Sequence, residues 1–149
     1  EAAAFNTLPT PGPGKRAFVS VKDSDKEAVV DVARRLVKLG FEVVSTQGTQ
    51  RFLAARGIPT TPVLKVSEGR PHVVDRIVDG EIAFVINTTA GKQEIADSYS
   101  IRRETLMKGL PYFTTMTGAR AAVGAMEVAR DAGPTVRTLQ EYHQGALGR

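Results

Sequence analysis

The chain predicts an α/β domain of three layers, α/β/α, built on a Rossmann-like parallel sheet of about five strands. Three observations carry this. Short apolar runs alternate with segments of helical periodicity, the pattern of β–α units joined by crossovers. The run Ile82–Ile86 is nearly continuous in apolar residues, as expected of a strand covered on both faces. Hydroxyl, amide and lysine side chains follow the runs instead of interrupting them, which places polar chemistry at the carboxyl ends of the strands, where open α/β sheets bind ligands.

The elements follow in order. Residues 1–15 hold Pro9, Pro11, Gly12, Pro13 and Gly14. Closely spaced prolines forbid a helix and favour an extended spacer. This stretch reads as a linker end, as of a chain cut from something longer, and residues 16–149 read as the domain. Ala17–Val21 is β-like. Ser24-Asp25-Lys26-Glu27 has the capping-box pattern of a helix start, followed by Val29, Ala33 and Leu36 at helical spacing and a stop at Gly40. Phe41–Val44 is the second strand and Gln50–Arg56 a short helix closed by Gly57. Pro62–Val66 is the third strand. Pro71 can open a helix at its first position, with Gly80 as its stop. After Ile82–Ile86 come a helix over Asp97–Lys108, a strand over Tyr112–Thr115 and an alanine-rich helix over Thr117–Ala132. Val136–Leu139 can add an edge strand.

Bulk properties narrow the function. A length of 149 residues suits one domain with a real core, and 42% hydrophobic with 24% charged residues is a globular composition. There is no cysteine, which excludes disulfides, thiolate nucleophiles and zinc–thiolate sites and fits a reducing cytoplasm. No apolar run approaches the roughly 20 residues of a membrane span. The net charge of +4 reads as a slightly basic surface, part of which can face an anionic ligand. Nucleic acid is not expected: aromatics are 6%, tryptophan is absent and no basic stripe carries interleaved aromatics.

The strand-end residues point to phosphate. Ser45-Thr46-Gln47-Gly48-Thr49 sets two hydroxyls around a glycine just before a helix; Gly48 lets the backbone approach a ligand, and the helix start presents unpaired N–H groups. Thr49 reads equally well as a helix N-cap. Lys26 lies in a first helical turn, where a cation opposes the helix dipole unless an anion is bound; the alternative is a solvated lysine beside Asp23 and Asp25. Lys65 ends a strand expected to be buried and must reach solvent or an anion. Asn87, Thr88 and Thr89 follow the fourth strand. Candidate catalysts are few. His72 and His143 are the only histidines; neither has metal-ligand spacing, and His72 reads as structural. No Gly-x-Ser-x-Gly or Walker A pattern occurs.

Taken together, Ser20–Lys26, Ser45-Thr46-Gln47-Gly48-Thr49, Lys65-Val66-Ser67-Glu68-Gly69-Arg70-Pro71-His72 and Ile86-Asn87-Thr88-Thr89 resemble the methylglyoxal-synthase-like superfamily. More narrowly, the chain is similar to the C-terminal allosteric domain of the large subunit of carbamoyl phosphate synthetase, over about residues 16–149. The resemblance implies a sensor of effector nucleotides of the UMP and IMP type. Lys26, Thr46, Thr49 and Lys65, with Gly48 in the loop, fall on phosphate-contacting positions. Asn87 and Thr89, with Thr88 beside them, fall on nucleoside-contacting positions. Tyr112 and Thr114 fall where an enterobacterial relative helps to bind ornithine. Phe113 departs from that relative, which has an acidic residue there; a phenyl ring cannot pair with an ammonium. Gln47, where the relative has histidine, and Lys92, where it has arginine, are further departures that would retune nucleotide preference.

The resemblance further implies that the domain itself has no turnover and no cofactor. Its parent would be the glutamine-hydrolysing ligase that makes carbamoyl phosphate for pyrimidine and arginine synthesis. That enzyme uses ATP with Mg or Mn at sites outside this chain. Expected partners are the nucleotide, the other domains of the large subunit and the small glutaminase subunit, with oligomerisation as an added role. Two alternatives stand beside the sensor. One is a free-standing lyase of the methylglyoxal synthase type acting on dihydroxyacetone phosphate. That chemistry needs a carboxylate base, and Arg70 stands at the base's place, where it cannot accept a proton. The other is a purely structural oligomerisation domain, which would not require lysines and threonines to converge at the strand ends.

Overall fold

Residues 8–10 and 14–132 are described by the structure, a computed structural model. Strands and helices alternate along it: β1 (Arg16–Ser20), α1 (Lys26–Lys38), β2 (Glu42–Ser45), α2 (Gln47–Ala54), β3 (Thr61–Pro62), α3 (Val73–Val78), β4 (Phe84–Asn87), α4 (Lys92–Met107), β5 (Tyr112–Phe113) and α5 (Met116–Ala132). Short 3-10 turns at Asp23–Asp25 and Val66–Glu68 fill two of the connections. The sheet has five parallel strands in the order β3-β2-β1-β4-β5. The order reverses direction between β1 and β4, and at such a switch point the connections leave opposite ways and open a crevice above the strand ends.

The period of two along each strand builds two cores. On β1, Ala17 and Val19 face one side with Val29, Val32, Ala33 and Leu36 of α1, Leu53 of α2 and Ala119, Ala122, Val123 and Met126 of α5. Phe18 faces the other side with Val73 and Ile77 of α3 and Ile101 of α4. These are the outer layers of the α/β/α sandwich. In the first core the Phe84 ring meets Phe41 and Phe113 edge-on, with centroids at 5.3 and 6.5 Å. Behind that core Arg35 of α1 forms a bidentate pair with Glu127 of α5 at 2.9 and 2.6 Å. Leu8, within the stretch expected to be a spacer, is half-buried against the same core.

Element boundaries correct the sequence reading in several places. No side chain caps α1; the 3-10 turn before it pairs Asp25 N–H with the Lys22 carbonyl at 2.9 Å and Lys26 N–H with Asp23, leaving nothing for a Ser24 capping box to do. Its other end matches: Gly40, at φ 97°, follows the helix, Gly40 N–H bonds Val37 and Phe41 N–H bonds Leu36. Helix α2 starts three residues early, which makes Thr46 its N-cap and puts Thr49 inside the first turn. The third strand ends at Pro62 because Leu64 leaves the sheet and pairs with His72 instead. Pro71 does not open α3; His72 is its N-cap, its Nδ1 accepting from Asp75 N–H at 3.4 Å. Helix α4 begins at Lys92 instead of Asp97, and β5 stops at Phe113. The edge strand expected over Val136–Leu139, and His143, lie outside the described residues.

Candidate functional site: a polar cavity at the switch point

A cavity of about 460 Å³ opens at the carboxyl ends of β1, β2 and β4, over the switch point. Every phosphate- and nucleoside-contacting position expected from the sequence lines it: Lys26, Thr46, Gly48, Thr49 and Lys65, then Asn87, Thr88 and Thr89. They arrive on four separate connections, so the sheet gathers residues that are far apart in the chain.

The floor is stitched by side-chain hydroxyls. Ser20 Oγ and Thr46 Oγ1 are 2.7 Å apart. Thr49 Oγ1 accepts from Val21 N–H at 3.1 Å, and Thr88 Oγ1 accepts from Lys22 N–H at 3.0 Å. These bonds lock the loop after β1 to the loops after β2 and β4. They also leave hydrogens over. One member of the Ser20–Thr46 pair keeps its proton for the cavity, and the Thr88 oxygen has only accepted. Because Thr46 turns to Ser20, no side chain caps α2. The first amides of that helix, from Gln47 to Thr49, precede the first intrahelical bond, Gln50 N–H to Thr46 at 2.8 Å, and Gly48 and Thr49 line the cavity. A helix start without a capping side chain is a seat for an anion. A Cβ on Gly48 would meet open space, so this glycine is not required by packing.

The two lysines differ. Lys26 is folded back: its Nζ donates to the Val21 carbonyl at 2.8 Å and to Asp23 at 3.0 Å, and its side chain is 15% exposed. The conflict with the helix dipole is thus relieved within the chain by Asp23, as in the alternative reading of a lysine beside Asp23 and Asp25, except that the side chain is packed down instead of solvated. Lys65 does not end a buried strand. It is exposed at the start of the 3-10 turn, its own N–H bound to Glu68 at 2.8 Å, and among the described residues its ammonium has no hydrogen-bond or ion-pair partner.

The nucleoside side is built around Asn87, whose amide donates to Ser98 Oγ at 2.9 Å and to the Tyr112 hydroxyl at 3.2 Å. Tyr112 therefore reaches the site only through Asn87 and does not itself line the cavity; Thr114 is exposed and lies outside it. Phe113 is buried in the core against Phe84, on the opposite face of β5 from Tyr112. Ser98 and Ile101 line the cavity without having been singled out from the sequence, and Ser20 lines it too, known from the sequence only as the first residue of the Ser20–Lys26 motif. Ser20 carried a readable signal, a hydroxyl at a strand end. Ser98 did not, since the start of α4 was misplaced. Among the described residues no cluster of His, Asp or Glu is arranged to hold a metal, and no helix is long and apolar enough to cross a membrane.

A family model described as an MGS-like domain matches residues 28–114, from α1 to the end of β5. The chain belongs to the MGS-like domain family. The chain is 57% identical over 142 residues to the carbamoyl phosphate synthase large chain of Myxococcus xanthus (strain DK1622), a match covering 95% of this chain and 13% of that one. It is 53% identical over 149 residues to the large chain of Xylella fastidiosa (strain 9a5c), covering 96% and 14%. With the large chain of Pseudomonas aeruginosa PAO1 it shares 48% over 145 residues, covering 97% and 13%. The domain thus spans about one seventh of the length of these relatives. Among solved structures it is similar in fold to a methylglyoxal synthase from Elizabethkingia anophelis NUHP1, with a TM-score of 0.56, 16% identity, and coverage of 75% of this chain and 79% of that one.

Proposed function

We propose that this MGS-like domain is the regulatory part of a carbamoyl phosphate synthase large chain, binding an effector nucleotide of the UMP or IMP type by its phosphate. One observation carries the reading. The uncapped start of α2 and the Lys65 ammonium, which has no partner among the described residues, flank the same cavity, beside hydroxyls with protons to spare. That is a donor-rich, cationic site suited to a phosphate. The adjoining group of Asn87, Thr88, Thr89 and Ser98 offers polar contacts for the nucleoside. Ornithine has weaker support, since Thr114 is outside the cavity and Phe113 is buried.

In this reading residues 16–149 are the sensor, and the remaining domains of the large chain carry the chemistry. The domain has no turnover of its own. The parent, a ligase using ATP with Mg or Mn, makes carbamoyl phosphate in the cytoplasm with the nitrogen delivered by a small glutaminase subunit. The rival lyase lacks support at its base: Arg70 bonds Asp75 instead of offering a carboxylate.

Calorimetric titration of the chain with UMP, IMP, UTP and ornithine tests the proposal. UMP or IMP should bind at one site, and the matching nucleoside far more weakly. Equal binding of nucleoside and nucleotide overturns the phosphate-centred reading. Methylglyoxal formation from dihydroxyacetone phosphate overturns the regulatory one.

A further inference from the structure

Lys65 stands three residues beyond the last sheet residue, Pro62, on the shortest kind of edge strand. Val63 N–H still bonds the Ser45 carbonyl of β2 at 2.9 Å, so the sheet holds the chain to within two residues of Lys65 but not Lys65 itself. Its backbone is held from two directions. Glu68 accepts from Lys65 N–H at 2.8 Å and Glu68 N–H returns to the Lys65 carbonyl at 3.0 Å. On the other side Leu64 is bridged to His72, with Val73 N–H bonding the Leu64 carbonyl at 3.0 Å. That bridge is only as firm as the turn bearing His72. The carboxylate of Asp75, mostly buried, closes this turn: it accepts from His72 N–H at 2.8 Å and from Arg70 at 3.2 and 2.6 Å. Among the described residues the side chains of Lys26, Thr46 and Thr49 make no bond to this brace; theirs run to Ser20, Val21 and Asp23.

We propose that Asp75 is a positioning residue for the anion site: by closing the turn from Arg70 to Asp75 it fixes the Leu64–His72 bridge and so holds the Lys65 ammonium over the cavity. The inference rests on the phosphate-binding reading for its function, but the brace itself is made only of the domain's own backbone and side chains. The Arg70 guanidinium, followed by the His72 amide, holds the Asp75 carboxyl below the usual aspartate range, in keeping with a carboxylate engaged by several donors.

The test has two arms on the chain carrying Asp75→Asn. The first is amide hydrogen exchange without ligand. Residues 64–69 should exchange about tenfold faster or more, while the loops after β1 and β2 keep their protection. Unchanged exchange at 64–69 overturns the brace whatever binds in the cavity. The second is a double-mutant cycle read by calorimetry with UMP. Asp75→Asn should weaken UMP about fivefold in the parent chain and almost not at all in Lys65→Ala, yet keep its full effect in Lys26→Ala. Equal effects in both lysine backgrounds overturn the assignment to Lys65. If UMP and IMP fail to bind the unmodified chain, the phosphate reading fails and takes the positioning role with it. The exchange arm then reports on the brace alone.

Discussion

The cavity has two walls made in different ways. One rises from β1, β2 and β4, whose central residues are buried on both faces and paired along the sheet. Its loops are cross-bonded through Ser20, Thr46, Thr49 and Thr88, and its lysine is already engaged by Val21 and Asp23. The other wall is the connection from β3 to α3. Its strand is two exposed residues long, and its lysine makes no side-chain bond among the described residues. The first wall has its lysine engaged and keeps only hydroxyl protons and the first amides of α2 to spare, whereas the second keeps its charge available. An anion recruits Lys65 without breaking anything, whereas it must compete with a carbonyl and a carboxylate for Lys26. The two lysines look equivalent in the sequence, and the structure divides them into a strut and a ligand.

The largest test of this division is in stability. Phe84→Ala, beneath the central wall, removes a fully buried ring packed edge-on against Phe41 and Phe113 and should cost about 3–5 kcal/mol in urea unfolding. Thr61→Ala on the exposed edge strand should stay within about 0.5 kcal/mol. Comparable losses at the two positions would mean that the edge is as integral to the fold as the centre.

The lysines come next. Lys65→Ala should weaken UMP or IMP binding about tenfold to a hundredfold, the range of a charge-assisted bond. Its unfolding midpoint should not move. Lys26→Ala should do less to binding and more to stability, losing about 1 kcal/mol with the bond to Val21. Calorimetry and denaturation of both variants decide the matter, and the comparison breaks if the two profiles coincide.

A smaller effect of opposite signs is expected at Gly48. It sits in the first turn of α2 with open space where a Cβ would go. Gly48→Ala should stabilise the fold by up to about 0.5–1 kcal/mol through helix propensity. The new methyl group occupies cavity space beside the uncapped amides, so nucleotide affinity should fall. A gain in stability with unchanged affinity would show that no phosphate approaches those amides.

What was legible in the sequence follows the same division. The central strands could be read because burial on both faces makes Phe18, Val43, Val44 and Phe84–Ile86 a continuous apolar signal. The site followed from them, since each polar loop begins where such a run stops. The edge could not be read this way. Pro62-Val63-Leu64 looks like a longer strand, but Leu64 finds its partner in His72, a contact that only the fold creates. For the same reason the roles of Glu68 and Asp75 were invisible, though each stands three residues after the amide it accepts from. Lys26 was visible as a cation at a helix start. That it folds back on Val21 depends on the 3-10 turn, which no spacing announced.

Each wall also has an arginine–carboxylate pair behind it, and this gives the smallest and most specific test. Arg70 and Asp75 brace the edge, whereas Arg35 and Glu127 join α1 to α5 behind the centre. The Arg35 hydrogen bond, set against the cost of burial, holds the Glu127 carboxyl below the usual glutamate range. A carboxyl whose folded value is depressed stabilises the fold above its unfolded value, and that contribution is lost as pH falls through the folded one. The parent chain should therefore exceed Glu127→Gln in stability at neutral pH, by about 0.5–1 kcal/mol for a partly exposed pair. The gap should close on acidification below the usual glutamate range, and UMP affinity at neutral pH should be the same in both. Asp75→Asn should behave the other way round, changing affinity more than stability. A loss of affinity in Glu127→Gln would mean that the helix layer behind the sheet reaches the cavity, and the two walls would have to be treated as one.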